Sequence, residues 1–465
     1  MMAHDSLNND TIAAIATPFG RAGIGIVRLS GSRAREIAGK IFKSNRVFQE
    51  FESHRLYLGQ LIDPSSRQMI DEVLLSFMKA PHSYTGEDVI EINSHSGYIL
   101  LSKILQILLN EGARLAKPGE FTFRAFLSGR IDLTQAEAIV DLVNAKSEKA
   151  LEFATRLIRG ELRTKIEDIR HKVIHIMASI EVAIDYPEEE VSILDRKKTA
   201  IEIEKEMIGP IERIISGYGR RKMWMEGIKT VIAGRVNAGK SSLLNRFLNE
   251  QRAIVTPIPG TTRDIIESTI YIEGLPFLLM DTAGIRKGKG KIEKMGIHLS
   301  EQKLSEADLA LILIDQSRPL NEDDLKILTK ARDGNTLIVM NKIDLPSKMD
   351  EKELYRAATG LPIMKISALR GDGVHALCAM MREKIIKDDL ELASSSLIPN
   401  QRQKTALSEA SRYFKEALKN IRDDLPAEII AEDLKSGLDS LALITGETGN
   451  EEIYDRIFSE FCLGK

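Results

Sequence analysis

The sequence predicts a multidomain α/β protein, and three observations lead to that class. A chain of 465 residues is too long for one hydrophobic core and suggests about three domains. Strand-like and helix-like apolar patterns occupy different parts of the chain. A glycine-rich segment, 234–241, matches GxxxxGK[ST] and stands between a strand-like stretch, 230–233, and a helix-like stretch, 242–248.

The apolar patterns divide the chain into four segments. In the first, short strand-like stretches alternate with turns, which predicts an α+β domain. The second carries long amphipathic helices at 135–145, 147–160 and 162–184. The third contains the glycine-rich segment, and helices resume in the fourth after a serine- and proline-containing linker. The predicted bounds are 1–118, 119–222, 223–387 and 388–465.

Composition and charge are those of an ordinary soluble globular chain. Hydrophobic residues make up 43% and charged residues 29%, with a formal net charge of −3. This balance excludes a global field that draws the chain onto nucleic acid, and 5% aromatic content argues against an extended base-stacking surface. Cys378 and Cys462 have no His or Cys at metal-binding spacing. The N-terminus has no apolar signal core and no run of about 18 apolar residues occurs, so we expect a cytoplasmic protein that does not engage a membrane.

The glycine-rich segment has the residue types that hold phosphate. Its glycines let backbone N–H groups turn towards phosphate oxygens, and the following helix adds a partial positive charge at its N-terminus. Lys240 would reach the β- and γ-phosphates, and the Ser241 hydroxyl would ligate Mg²⁺. This motif alone indicates a nucleotide without saying which one.

Two segments downstream would complete the phosphate and magnesium site. The apolar stretch 278–284 ends in DxxG, where Asp281 would hold Mg²⁺ through water and the Gly284 N–H would meet a γ-phosphate. Between it and the glycine-rich segment, 260–264 offers a threonine hydroxyl to Mg²⁺. An isolated DxxG is more often an ordinary turn, but its place at a strand end in this order favours a phosphate site.

A third strand-end motif specifies the base. The stretch 337–344 ends in NKxD, and the Asp344 carboxylate can accept two hydrogen bonds from the N1–H and N2–H₂ edge of guanine. Adenine lacks that donor pair and would leave the carboxylate poorly paired. Ser367 and Ala368 follow another apolar stretch and are placed to cover the base. Together, these motifs predict a GTP-binding domain.

The residues for hydrolysis depart from a common pattern. Ile285 stands directly after DxxG, where Ras-type GTPases carry a water-orienting glutamine, so another residue must orient the water. The polar stretch from Arg286 contains one carboxylate, Glu293. Asn237 could hold a monovalent cation that neutralises charge developing in the transition state. The alternative is that Asn237 only caps the loop and Glu293 is a solvated helix-start residue.

A set of basic residues recurs along two helices of the second segment. Such a set is usually a solvated face, and phosphate contact is the less favoured interpretation. The residues are Arg156, Arg159, Arg163, Lys165, Arg170 and Lys172.

The chain resembles the MnmE (TrmE) family of tRNA-modification GTPases along essentially its whole length. Besides the nucleotide motifs, the resemblance rests on segments 16–31, 84–91, 118–126 and 132–138 and on the C-terminal 461–465. It implies an α+β N-terminal domain that dimerises, and a helical domain, formed by the second and fourth segments, into which the GTPase domain is inserted. It also implies that the protein acts with MnmG, an FAD-containing protein, as a heterotetramer.

The implied activity is potassium-dependent GTP hydrolysis coupled to tRNA modification. An aminomethyl or carboxymethylaminomethyl group is added at carbon 5 of the wobble uridine, with a one-carbon unit from a reduced folate (the 5,10-methylene or 5-formyl form). Arg28, Glu91, Arg130 and Lys465 match the folate ligands. Glu293 would orient the attacking water, with Lys240 and Arg286 as further catalytic residues.

The resemblance also assigns metals and nucleotide contacts. Potassium would be held by Asn237, Thr256, Ile258 and Thr261, and Mg²⁺ by Ser241 and Thr262. The predicted nucleotide-binding set comprises Asn237, Ala238, Gly239, Lys240, Ser241, Ser242, Thr256, Pro257, Ile258, Pro259, Gly260, Thr261, Thr262, Asp281, Thr282, Ala283, Gly284, Asn341, Lys342, Asp344, Ser367 and Ala368.

A few positions depart from the family pattern, and two alternatives stay open. Val236, Pro259 and 95–97 differ from the expected residues, and Arg130 stands where a lysine is found. Cys462 could act as a nucleophile, although packing is the favoured role. The alternative function is a ribosome-assembly GTPase that acts as an RNA-binding switch. Such proteins often carry a basic module after the GTPase domain, whereas this chain continues into an acidic helical segment.

Overall fold

The structure is a computed structural model of the 465-residue chain. It describes residues 10–18, 20–44, 51–186, 194–250, 267–281, 307–329, 335–358, 360–386, 397–448, 451–462 and 464. The chain forms two compact units. The first comprises Met1–Val143, Thr155–Gly209 and Thr405–Lys465, and the second comprises Asn144–Ala154 and Pro210–Lys404.

Strands and helices alternate along most of the described chain. The strands are β1 (Ile12–Ile15), β2 (Gly25–Ser30), β3 (Phe42–Ser44), β4 (Arg55–Ile62), β5 (Met69–Met78), β6 (Val89–Ser94), β7 (Arg114–Leu115), β8 (Ile228–Ala233), β9 (Glu267–Ile272), β10 (Leu275–Asp281), β11 (Leu309–Asp315), β12 (Thr336–Asn341) and β13 (Ile363–Lys365). The α-helices are α1 (Ala34–Ile41), α2 (Tyr98–Asn110), α3 (Glu120–Leu127), α4 (Leu133–Asn144), α5 (Glu148–Ile158), α6 (Glu161–Asp185), α7 (Arg196–Glu202), α8 (Gly209–Ser216), α9 (Tyr218–Arg221), α10 (Lys240–Glu250), α11 (Glu322–Thr329), α12 (Glu351–Ala357), α13 (Val374–Ile385), α14 (Gln401–Arg422), α15 (Ala427–Thr445) and α16 (Glu451–Ser459). Two π-helical stretches are Ile203–Ile208 and Lys222–Glu226.

A mixed sheet organises the N-terminal part of the first unit. Its strand order is β3-β4-β5-β6-β2-β1-β7, with β1 and β7 parallel and the other neighbours antiparallel. Side chains alternate between the two faces, so Val27 and Leu29 of β2 are buried in the core with Ile90 and Ile92 of β6. The intervening Arg28, which is in register with Glu91, therefore points to the other face.

The rest of the first unit is helical and comes from both ends of the chain. The long helix α6 buries a stripe of apolar residues at helical spacing, Leu162, Ile166, Ile169, Val173, Ile176, Ile180 and Ala183. It packs against α15, which follows the second unit in the sequence. The predicted pairing of the two helical segments is thus confirmed, as are the predicted helices that correspond to α4, α5 and α6.

The second unit contains a six-stranded sheet in the order β13-β12-β11-β8-β10-β9. All neighbours are parallel except β10 and β9. Every residue of β11 and β12 is buried, because helices cover both faces of such a sheet and its central strands read as unbroken apolar runs. The fold is multidomain α/β, as predicted, with a nucleotide-binding type of sheet inserted in a helical domain.

Among the described helices, none combines the length and apolar character needed to cross a lipid bilayer.

Candidate functional site

Four strands of the second unit end at one edge of its sheet. The glycine-rich loop 234–239 follows β8, and β10, β11 and β12 end at Asp281, Asp315 and Asn341. Carboxyl ends of neighbouring parallel strands share one edge, where such sheets bind their ligands. The predicted motifs are therefore brought together by the topology of the sheet.

The glycine-rich loop makes close backbone approaches that only glycine permits. Gly234 and Gly239 have φ of 147° and 102°. A Cβ on Gly239 would lie 2.1 Å from Asn341 Nδ2, and one on Gly234 would lie 2.5 Å from the Leu313 carbonyl oxygen. Asn237 is a non-glycine residue with a φ of 65°, a conformation that asparagine tolerates better than most residues.

The predicted phosphate ligands lie where this loop meets α10. Lys240 Nζ donates to the carbonyl oxygens of Gly234 and Arg235 at 2.7 and 2.8 Å, so the ammonium lies inside the curve of the loop. Ser241 and Ser242 are exposed in the first turn of the helix. The helix N-terminus, the lysine charge and two hydroxyls thus converge on one place, which suits an anionic ligand with a cation beside it.

Asn341 joins the glycine-rich loop to the segment predicted to cover the base. Its side chain is buried, and Nδ2 donates to the Ala238 carbonyl oxygen at 2.8 Å. Its Oδ1 accepts the Ala368 N–H at 3.0 Å. One amide therefore fixes the distance between the phosphate-binding loop and the base-covering segment.

Lys342 is held by a carboxylate that sequence reasoning missed. Its Nζ lies 2.7 Å from Oδ2 of Asp315, whose side chain is buried at the end of β11. Burial alone would raise the pKa of Asp315, but the hydrogen bonds from Lys342 and Ser317 outweigh it and lower the pKa. The sequence did contain a pattern that could have indicated Asp315: the apolar run of β11 ends in an aspartate, as does the run that ends at Asp281.

Asp344 and Ser367 meet at the predicted base-recognition site. The Ser367 hydroxyl donates to Asp344 Oδ1 at 2.6 Å and accepts the Arg370 N–H at 3.1 Å. The serine hydrogen bond is the main reason that the pKa of Asp344 lies below its usual value. The half-exposed carboxylate is therefore anionic at neutral pH and is oriented by its neighbour, as recognition of the guanine N1–H and N2–H₂ edge requires.

The structure thus assembles one part of the predicted nucleotide site. It brings together 237–242 with Asn341, Lys342, Asp344, Ser367 and Ala368. Asp281 is described by its backbone only. The predicted residues that lie outside the described ones are Thr256, Pro257, Ile258, Pro259, Gly260, Thr261, Thr262, Thr282, Ala283, Gly284, Arg286, Glu293 and Lys465.

A second candidate site lies on the outer face of the N-terminal sheet. Arg28 and Glu91 form an ion pair of 2.7 Å, and Arg28 Nη1 donates to the Gly464 carbonyl oxygen at 3.1 Å. The guanidinium groups of Arg28 and Arg130 lie 5.6 and 5.2 Å from the centre of the Tyr84 ring. Three predicted folate ligands, Arg28, Glu91 and Arg130, are therefore neighbours around Tyr84. Tyr84 begins one of the segments that match the family, but the sequence alone did not assign it to the site.

The C-terminal segment reaches the same place. Gly464 has a φ of 91°, and a Cβ there would lie 2.5 Å from the Ile15 carbonyl oxygen. Any side chain at this position would therefore collide with the backbone of β1. Cys462 is exposed two residues earlier.

An ion-pair network holds the segment that carries Tyr84. Arg124, which is buried, lies within 3.1 Å of carboxylate oxygens of Asp10, Glu87 and Glu120. Tyr84 itself shares a 2.9 Å hydrogen bond with the Thr122 hydroxyl. Because these partners come from distant parts of the sequence, the network fixes the segment against α3.

The basic residues on α5 and α6 mostly face carboxylates. Arg156 pairs with Glu161 and Arg163 approaches Asp132, while Arg170 and Lys172 pair with glutamates on neighbouring elements. This neutralisation favours a solvated face over a phosphate-binding one. Within the described residues, no cluster of three or more His, Cys, Asp or Glu side chains could hold a metal ion.

Comparisons with protein-family models and with curated proteins indicate the same family. A model described as the MnmE helical domain matches residues 133–462, and one described as the GTP-binding protein TrmE N-terminus matches 11–130. The tRNA modification GTPase MnmE of Thermoanaerobacter pseudethanolicus is 44% identical over 98% of this chain and 99% of its own. That of Clostridioides difficile is also 44% identical, over 98% of this chain and 99% of its own.

Solved structures match about a third of the chain. The G domain of the T. maritima iron transporter FeoB is 26% identical over 34% of this chain and 99% of that chain, with a TM-score of 0.26. A score this low supports no further conclusion.

Proposed function

The chain belongs to the MnmE family and is a GTPase of tRNA modification, and we propose that it uses potassium-dependent GTP hydrolysis to modify carbon 5 of a wobble uridine in tRNA. In this proposal it acts in the cytoplasm as a homodimer, with the FAD-containing MnmG protein as its partner. A reduced folate supplies the one-carbon unit of an aminomethyl or carboxymethylaminomethyl group. The alternative of a ribosome-assembly GTPase is not favoured, because the relatives match 98% of the chain, including its N-terminal domain.

The observation that best supports GTP binding is the pair of hydrogen bonds made by Asn341. A single buried side chain hydrogen-bonds both the phosphate-binding loop and the base-covering segment. Beside it, Asp344 is oriented by Ser367. A carboxylate in this place selects guanine, because adenine would leave it without donors.

We assign hydrolysis to the glycine-rich loop and to residues of two further segments. Lys240 would hold the β- and γ-phosphates, Ser241 and Thr262 would hold Mg²⁺, and Glu293 would orient the attacking water, with Arg286 as a further catalytic residue. The bound cations would supply positive charge against the phosphate oxygens as negative charge develops on them. Positions 251–266 and 282–306, which contain three of these residues, lie outside the described part of the chain.

The proposed potassium site has one described ligand. Asn237 is exposed in the loop with a left-handed backbone, and its side chain forms no hydrogen bond to any described residue. An amide that does not cap its own loop is free to offer its oxygen to a cation, which supports the potassium role over the capping role. Thr256, Ile258 and Thr261 would complete the site.

The proposed folate site is built around Tyr84. Because Arg28 is paired with Glu91, we assign Glu91 to the donor edge of the pterin and Arg28 to holding that carboxylate in place. Arg130, with Lys465, would meet the carboxylates of the glutamate tail. Arg130 also donates to the Tyr84 carbonyl oxygen at 2.7 Å, so its position depends on the same segment.

An apolar face on the N-terminal sheet supports the proposed homodimer. Leu56 and Leu58 of β4 are 66% and 54% exposed, and Leu74, in register with Leu58 on β5, is 42% exposed. Adjacent exposed leucines on a sheet face are typical of a protein interface.

GTP turnover in potassium and in sodium at equal ionic strength tests the catalytic part of the proposal. We expect faster turnover in potassium, and loss of that difference in Asn237→Ala and Glu293→Ala. The matched control is Asn249→Ala, which removes an exposed asparagine from α10 and should behave as wild type. Equal rates in both salts would exclude the potassium mechanism and leave GTP binding intact.

Thermal unfolding with and without a reduced folate tests the second site. A ligand that binds only the folded protein at 100 times its Kd adds about 2.7 kcal/mol to the free energy of unfolding. We expect this stabilisation to be lost in Glu91→Gln and kept in Glu72→Gln, which changes an exposed glutamate on β5. Wild-type protein that gains nothing from the folate would overturn the assignment.

A further inference from the structure

The phosphate-binding loop is tied to a buried carboxylate that the motifs do not include. Arg235 lies in the loop and its Nη1 is 3.2 Å from Oδ2 of Asp324, in the first turn of α11. The Arg235 side chain is 13% exposed and that of Asp324 is 1% exposed. The two residues are separated by almost ninety positions in the sequence, so the contact fixes the loop to a different element.

The Asp324 carboxylate is only partly satisfied by hydrogen bonds. Asp324 Oδ1 has no hydrogen-bond partner among the described residues. Its other oxygen accepts the Asn321 N–H at 3.3 Å. Burial raises the pKa of Asp324 even though Arg235 opposes that rise. The Asp324 N–H donates in turn to Asn321 Oδ1 at 3.0 Å, so one oxygen of the carboxylate caps α11 and also pairs with Arg235.

The ion pair does constrain the backbone that holds the catalytic lysine. The Arg235 carbonyl oxygen accepts Lys240 Nζ at 2.8 Å and the Ala238 N–H at 3.3 Å. Fixing the Arg235 side chain therefore fixes a carbonyl group that positions the lysine.

We propose that Asp324 is a positioning residue for GTP binding and hydrolysis, which acts through Arg235 to hold the phosphate-binding loop in shape. The role concerns the phosphates and not the base, because guanine recognition is assigned to Asp344, which Ser367 orients. The inference depends on the GTP site and is independent of the potassium and folate proposals.

The test compares affinities for GDP and for guanosine, which share the base and differ in the phosphates. In Asp324→Asn we expect GDP to bind about tenfold more weakly, as for loss of a coupled pair. We expect guanosine affinity to stay within about twofold of wild type, while thermal stability falls because Arg235 loses its counter-charge. The matched control is Asp323→Asn, an exposed neighbour on α11, which should leave both affinities unchanged.

A double-mutant cycle tests whether Asp324 acts through Arg235. Arg235→Gln alone should weaken GDP binding, and adding Asp324→Asn should weaken it no further. If Asp324→Asn does not fold, Arg235→Gln with the same two ligands replaces it as the decisive variant. The proposal is overturned if GDP affinity matches that of Asp323→Asn, or if guanosine and GDP affinities fall together. Wild-type protein that binds neither ligand would instead overturn the GTP site itself.

Discussion

Replacing Asn341 by alanine should break the link between the phosphate-binding loop and the base-covering segment of the nucleotide site. The substitution removes both hydrogen bonds of the amide and leaves two main-chain groups without partners, the Ala238 carbonyl and the Ala368 N–H. Both residues are buried, with 0% and 3% of their surface exposed, so water cannot readily replace the lost partner. At about 1–3 kcal/mol for each of the two orphaned groups, the expected loss in the free energy of unfolding is about 2–6 kcal/mol.

The chain offers a direct probe of this loss. Its single tryptophan, Trp224, is buried in the apolar core of the second unit. Denaturant unfolding followed by tryptophan fluorescence therefore reports on the unit that contains Asn341, whatever the other unit does. The midpoint should fall with an unchanged slope, and GDP affinity should fall with it, because the loop and the base-covering segment are no longer joined.

The control is Asn335→Ala, the same substitution at an exposed position just before β12. It should leave the free energy of unfolding within about 0.5 kcal/mol of wild type, as most surface substitutions do. If Asn341→Ala behaves like this control, the two hydrogen bonds do not stabilise the site and the reasoning is refuted.

Three further predictions concern the same strand ends. Gly239→Ala places a methyl group 2.1 Å from the Asn341 amide at a φ of 102°, so GDP binding should be lost, as measured by calorimetry. Asp344→Asn should lower GTP affinity at least a hundredfold and raise that for xanthosine triphosphate, and retained GTP preference would contradict the base assignment. The pKa of Asp315 is lowered in the folded state, so the stability from its pair with Lys342 should be present above about pH 4 and lost as pH falls below it. The difference in unfolding free energy between wild type and Asp315→Asn should shrink over that range, and a constant difference would show that the pair is not ionic.

The sequence predicted the structure best where a short stretch of residues alone determines the position of the segment in the fold. Strand β12 is buried on both faces, so its apolar run and the polar residue Asn341 at its end could be read directly. The motif residues 237–242 and Asn341 converge because parallel strands place their carboxyl ends on one edge, a rule that holds without knowledge of side-chain packing.

Contacts that depend on long-range packing could not be predicted from the residues alone. Asp324 meets Arg235 only because α11 packs beside the loop, a contact that the local sequence around α11 does not predict. The contact of Arg28 with Gly464 joins positions 436 residues apart. The same limit applies to Tyr84, whose place between two arginines follows from the network around Arg124.

Modification of tRNA in a reconstituted reaction tests the central claim most directly. Purified protein, the FAD-containing partner, a reduced folate, the amine donor, GTP and potassium would be incubated with unmodified tRNA, and the nucleosides analysed by mass spectrometry. We predict a new mass on the wobble uridine that requires GTP and is lost in Asp344→Asn and Glu91→Gln. A product that forms equally without GTP, or no product when all components are present, would contradict the account.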